Sequence, residues 1–218
     1  MGSITRGLSN NITTGGVILP AGITNDSVSA VTSFANASGG TLILLSTQTA
    51  SSSANISFTT GLDSTYDAYE FHFINIHPSA LSPLAFQAST NGGSSYGIAC
   101  TSTYFNAFHN EADNDTGLSY NTGRDLAQST SFQQISQDIS TTNKVNFCGV
   151  LQLFNPSSTT YVKHFISKST NGDDGIYAWD INVAGYFNTT SAINAIQFKM
   201  NSGNIDDGII KLYGVKKS

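Results

Sequence analysis

Apolar and polar side chains alternate with a period of two along much of this chain. The clearest stretch is residues 68–77, Ala-Tyr-Glu-Phe-His-Phe-Ile-Asn-Ile-His. In an extended strand Tyr69, Phe71 and Phe73 point to one face, and Glu70, His72 and Ile74 to the other. The three aromatic residues read as core. Residues 144–154 repeat the pattern, with Phe147, Gly149, Leu151 and Leu153 on one face. Shorter runs predict strands at 42–46, around Ile56 and Phe58, and at 84–88, 160–167, 176–187, 195–200 and 209–215. Residues 96–108 read as one long strand or two short ones, and 129–135 as a weaker one. Asn-Gly-Gly-Ser-Ser at 91–95, Asn-Pro-Ser-Ser at 155–158 and Asn-Gly-Asp-Asp-Gly at 171–175 read as turns, where Asn and Gly accept positive φ cheaply. Residues 111–122 read as a polar loop.

About ten or eleven short strands, with no amphipathic helix between them, predict an all-β, jelly-roll-like β-sandwich. No internal repeat of fixed period points to a propeller or solenoid. Residues 1–40 differ from the rest. Arg6 and Asp26 are their only charges and Phe34 their only aromatic, while Gly15-Gly16, Pro20 and Gly39-Gly40 punctuate them. The apolar patches at 17–19, Ile23, Val28 and Val31 lack a period and cannot fold alone. The expected organisation is an extended N-terminal arm over 1–40, lying on a neighbouring subunit, and a β-sandwich domain over 41–218.

Composition sharpens this picture. Charged residues are 11% of the 218, where about 25% is usual. Ser, Thr, Asn and Gly supply the polarity instead, and the first three compete with helical backbone hydrogen bonding. A net charge of −5 with nine Lys+Arg gives no basic face for a nucleic acid. No apolar run reaches the about 18 residues of a membrane span. Residues 17–23 are too short, and broken by Pro20, to serve as a signal peptide, so cytoplasmic synthesis is expected. The six Asn-x-Ser/Thr sequons are what such a composition produces by chance. Cys100 and Cys148 each sit in an apolar run and read as small buried hydrophobes; a bridge between them stays open.

Candidate chemistry is thin. Gly93-Ser94-Ser95-Tyr96-Gly97 matches G-x-S-x-G, but Ser95 leads into a strand and has no helix to start, so the hairpin reading is preferred. His72, His77, His109 and His164 share no metal spacing. Glu111, Asp113, Asn114 and Asp115, with Asp173-Asp174 and Asp206-Asp207, could offer oxygen ligands to Ca²⁺, yet read better as Asx-rich turns. Glu70 and Glu111, the only glutamates, give little support to a glycosidase pair. Exposed aromatics, with Trp179 the single tryptophan, leave carbohydrate binding open. No catalytic, cofactor-binding or metal-binding residue is assigned, and no cofactor is expected.

Several phrases in series resemble virion proteins of tailed bacteriophages, cyanophages among them. They are residues 47–58 with 62–66, 73–78, 89–96, 153–158, and 202–206 through to 211–215. Residues 2–8 share the look. The resemblance covers about 41–215 and implies a non-enzymatic structural protein located in the virion and made in the host cytoplasm. Related domains occur as capsid decoration (cement) proteins and in tail fibres or appendages. The short chain, with an arm and without a repeat or coiled-coil shaft, favours decoration of the head. The alternative is a tail-fibre, adaptor or receptor-binding protein recognising host surface glycans. The implied partners are the major capsid protein or other virion proteins and further copies of the chain, with a trimer as the expected oligomer. Nucleic acid and membrane are not expected as partners.

Overall fold

The computed structural model describes residues 12–13, 16–17, 41–173 and 176–216. The chain divides into two units, residues 1–39 and 40–218. In the first, β1 (Ile12–Thr13) pairs antiparallel with β2 (Gly16–Val17). The rest of the arm expected over 1–40 lies outside the described residues.

The second unit is an all-β sandwich with no helix among its described residues. Its strands are β3 (Leu42–Thr49), β4 (Ile56–Phe58), β5 (Ala68–Pro78), β6 (Leu84–Ser89), β7 (Cys100–Asn110), β8 (Thr116–Tyr120) and β9 (Gln133–Gln134), followed by β10 (Phe147–Phe154), β11 (Lys163–Asp173), β12 (Tyr177–Phe187), β13 (Ala195–Met200) and β14 (Ile205–Val215). An eight-stranded antiparallel sheet runs β3-β14-β5-β10-β11-β12-β7-β8, and a four-stranded one runs β4-β13-β6-β9.

The wiring is simpler than the strand count implies. Set aside the hairpins β7–β8 and β11–β12, and eight strands remain. Numbered in chain order, they read first-eighth-third-sixth in the large sheet and second-seventh-fourth-fifth in the small one. The two hairpins both extend the large sheet beyond β10. They join each other through β12 and β7, which stay in register from Tyr177↔Asn110 to Phe187↔Cys100.

The core lies between the sheets. Tyr69, Phe71 and Phe73 are buried as their alternation requires, and so are Phe147, Leu151 and Leu153. Phe198 of the small sheet packs on Phe71 and Phe73, with ring centroids 5.2 and 5.1 Å away, and on Phe58 and Phe86 at 6.2 Å. Phe86 meets Phe165 edge-on at 5.0 Å, which carries the aromatic packing into the first inserted strand.

The alternation in β5 slips once. Phe147 pairs with Ile76, while Gly149 pairs with Phe73, so Ile74 and Asn75 face Cys148 alone. This bulge places Asn75 at φ 53. It resets the phase, so that Ile74 is exposed and Ile76 buried. On the other flank Gly208 sits at φ +119, and a Cβ there would lie 2.7 Å from the Asn75 carbonyl oxygen and from the Ile76 Cα. No other residue fits that crossing.

Several expected boundaries change. Residues 96–99 are irregular, and the strand starts at Cys100. The loop expected at 111–122 contains β8, an edge strand on β7. The strand expected over 129–135 shrinks to β9, because buried side-chain hydrogen bonds replace the ladder there. β11 continues through Asn171 and Gly172, so the turn expected at 171–175 starts later. β14 starts at Ile205 and takes in Asp206 and Asp207, which were read as a loop. Cys100 is buried, and burial pushes its thiol up to about 12. Cys148 is not: it lies on the outer side of β10, where its sulfur accepts the Asn75 N–H at 3.4 Å. Both thiols are free, on strands separated by β11 and β12, so the bridge left open in the sequence does not form.

Candidate functional site

Two features stand out once the predicted residues are placed. The first is the outer face of the eight-stranded sheet. Residues alternating with the core set share this face, and register aligns them across strands. One row reads Lys211, His72, Val150, Lys168, Asn182, Phe105 and Tyr120. The next reads Leu44, Tyr213, Glu70, Gln152, Ile166, Ala184 and Thr103. Ile166 is 51% exposed, Phe105 42% and Leu118 75%. The carboxylates Glu70 and Asp180 on the face are both paired. His72 Nε2 lies 2.8 Å from Glu70, which also accepts the Gln152 amide at 3.2 Å. Lys168 lies 3.5 Å from Asp180. The face is broad and carries large exposed apolar side chains between its polar ones.

The second feature is a polar cleft of about 510 Å³ on the outer side of the small sheet. Lys199 and Gln134 lie on one cross-strand row there, with Ala85 between them. Residues 123–126, Ser131 and Phe132 line it together with Gln134, Lys199 and Asn201. Arg124 is held firmly. Its guanidinium donates to Gln134 Oε1, to the Ser136 carbonyl at 3.4 Å and to Asp138 at 3.1 Å. Asp125 accepts the Tyr120 hydroxyl at 2.7 Å. The Lys199 ammonium stands 4.2 Å from the centre of the Phe132 ring, a cation–π contact. The buried Tyr104 hydroxyl has no hydrogen-bond partner among the described residues. Burial raises its pKa, the Arg124 charge lowers it and the Asp138 charge raises it.

The residues named from sequence go elsewhere. Ser95 belongs to a turn organised by Asn91, whose amide donates to its hydroxyl at 2.8 Å. That turn is not a hairpin, because β6 and β7 belong to different sheets. The histidines are scattered: His77 reaches the Thr142 carbonyl at 3.4 Å, His109 pairs with Asp113 at 3.0 Å, and His164 tilts against Tyr186. No group of three or more His, Cys, Asp or Glu side chains is placed to hold a metal among the described residues. The 110–115 loop is an Asx turn. Asn110 Oδ1 accepts the N–H groups of Asn114 and Asp115 at 3.1 Å, and Asp115 accepts the Tyr177 hydroxyl at 2.9 Å. Asp206 accepts from Ser52, and Asp207 from the Gly208 N–H. Asp173 ends β11, and Asp174 lies outside the described residues. Glu70 sits on β5 and Glu111 just past β7, with three strands between them. Trp179 packs on Phe108 at 4.9 Å and on Tyr177 at 5.9 Å, with its indole N–H buried and without a partner among the described residues.

The cleft residues Arg124, Asp125, Phe132, Gln134, Asp138, Lys199 and Asn201 were missed. Their one signal was charge out of place: Arg124 is one of two arginines, and Lys199 interrupts an apolar strand. Lys163 was missed too. It is buried, donates to the carbonyls of Tyr161 at 2.7 Å and Thr189 at 3.2 Å, and has its pKa lowered by burial.

No protein-family model, curated protein or solved structure matches this chain.

Proposed function

We propose that this chain is a non-enzymatic structural protein of a phage virion, docked on the head as a decoration protein. The outer face of the eight-stranded sheet carries the reading. It presents Ile166, Phe105, Leu118 and Val150 on a surface where Glu70 is paired with His72 and Asp180 with Lys168. Such a surface meets a partner with little charge desolvation. The sandwich supports the same reading: we read its first-eighth-third-sixth and second-seventh-fourth-fifth order as jelly-roll wiring, an architecture that capsid and lectin domains share. The partner is the major capsid protein, with copies of the chain grouped as a trimer.

The test is occupancy on purified heads. Native chain is expected to bind in many copies per head. Ile166→Asp combined with Phe105→Asp is expected to lower affinity by at least about tenfold, since each buries a charge in an apolar contact. Both positions are solvent-facing, so the melting temperature stays near the native value. Equal occupancy by the double variant, or density for the chain at the tail alone, overturns the proposal.

A further inference from the structure

We propose that the cleft beside Arg124 is a binding site for a neutral saccharide, separate from the docking face. It lies on the outer side of the small sheet, whereas the docking face is the outer side of the large one.

Its chemistry selects the ligand class. The lining carries two cations, Arg124 and Lys199, and one anion, Asp125. Asp138, in the neighbouring depression, pairs with Arg124 at 3.1 Å and offsets its charge, which leaves Lys199 balanced by Asp125, so charge balance favours an uncharged ligand. Hydrogen-bonding capacity points to a polyhydroxyl compound. The Lys199 ammonium meets the Phe132 ring and donates to no acceptor among the described residues. The Asn201 side chain is exposed at the mouth. Asp125 uses one carboxylate oxygen for Tyr120, which leaves the second to accept. The lining thus offers donors and acceptors together. Vicinal hydroxyls, each able to donate and to accept, match that set.

The site is also built rigidly. Arg124 is fixed by three acceptors, and its own carbonyl accepts the buried Gln133 amide at 3.0 Å. Binding therefore orders few protein groups. Phe132 and Leu126 add apolar surface for the C–H faces of a sugar ring. At about 510 Å³ the cleft falls within the usual range of small-molecule sites, about 300–1,000 Å³. The expected Kd is about 1 mM.

The experiment screens the full chain on an array of neutral mono- to tetrasaccharides, then titrates the hits into ¹⁵N-labelled protein. Inorganic phosphate and glucuronate are titrated in parallel. The expected result is saturable shifts of the Gly123, Ser131, Lys199 and Asn201 amides with a neutral sugar. Asn201→Ala and Asp125→Asn should each weaken binding by about tenfold at an unchanged melting temperature. Arg124 is left intact, because its loss would unsettle the wall itself. No saturable shift with any neutral sugar, saturation by phosphate or glucuronate instead, or shifts confined to another surface overturns the proposal. Head occupancy is measured on the Asn201 variant, because Asp125 bonds Tyr120 of the docking face. It is expected to be unaffected, which separates this site from the docking face.

Discussion

The two halves of the eight-stranded sheet are covered in different ways. Over β5 and β10 the cover is the small sheet, and the contact is aromatic: Phe198 packs on Phe71 and Phe73. Over β11, β12 and β7 the cover extends into the irregular segment 121–143, anchored by Ile135 and Ile139 and tied by hydrogen bonds to polar side chains on the inner face. Ser102 donates to Gln133 and accepts the Leu126 N–H at 2.9 Å. Ser169 donates to the Ile135 carbonyl at 2.7 Å. Asn171 accepts the Gln137 N–H, and Asn106 accepts the Gln137 amide, both at 3.2 Å. The difference shows where the chain's Ser and Asn go. Some are buried in the inserted half, where they hold a segment that has almost no ladder of its own. Gln133, which Ser102 holds, donates to the Arg124 carbonyl at 3.0 Å, so the polar half of the core helps to position the cleft.

Three substitutions probe that contrast, from the largest expected effect down. Phe198→Ala removes the ring shared by four aromatic neighbours. It is expected to cost about 3–5 kcal/mol in denaturant unfolding and to lower the melting temperature by roughly 2–4 °C per kcal/mol. The loss should be global, with hydrogen exchange rising throughout the sheet. Gln133→Leu strands the Ser102 hydroxyl and two carbonyls, and is expected to cost about 2–3 kcal/mol. Its exchange increase should be confined to segment 121–143 and β9, and a global increase would break the comparison. Lys168→Ala removes an exposed ion pair with Asp180 and is expected to change stability by less than about 1 kcal/mol. An effect larger than that of Gln133→Leu would mean the outer face is held by charge after all.

Much of the fold was legible because burial follows period two. The phase of Tyr69, Phe71 and Phe73 and the span of β13 follow from side-chain type alone. The departures have local causes. Asn75 adds a residue to β5 and flips the phase behind it, which no alternation rule anticipates. Asn171-Gly172 has turn chemistry, yet register with β12 carries the strand through it, since Gly172 pairs with Ala178. Thr116–Tyr120 is polar because it is an exposed edge, and this hides it among loop residues. The cleft was not legible. Its side chains come from residues 121–138 and 199–201, which only the β6–β13 and β6–β9 pairings bring together. Cys148 looked buried because its neighbours are apolar, whereas alternation puts it opposite Phe147, outside the core.

The central claim is that the outer face of the large sheet is the surface that meets the virion. Hydroxyl-radical labelling of the chain, free and bound to purified heads, tests it residue by residue. Protection on binding is expected at Phe105, Leu118 and Ile166, while Phe132 in the cleft keeps its free-state labelling. Unchanged labelling of those three residues in the bound state, with protection on the small-sheet side instead, would contradict the claim.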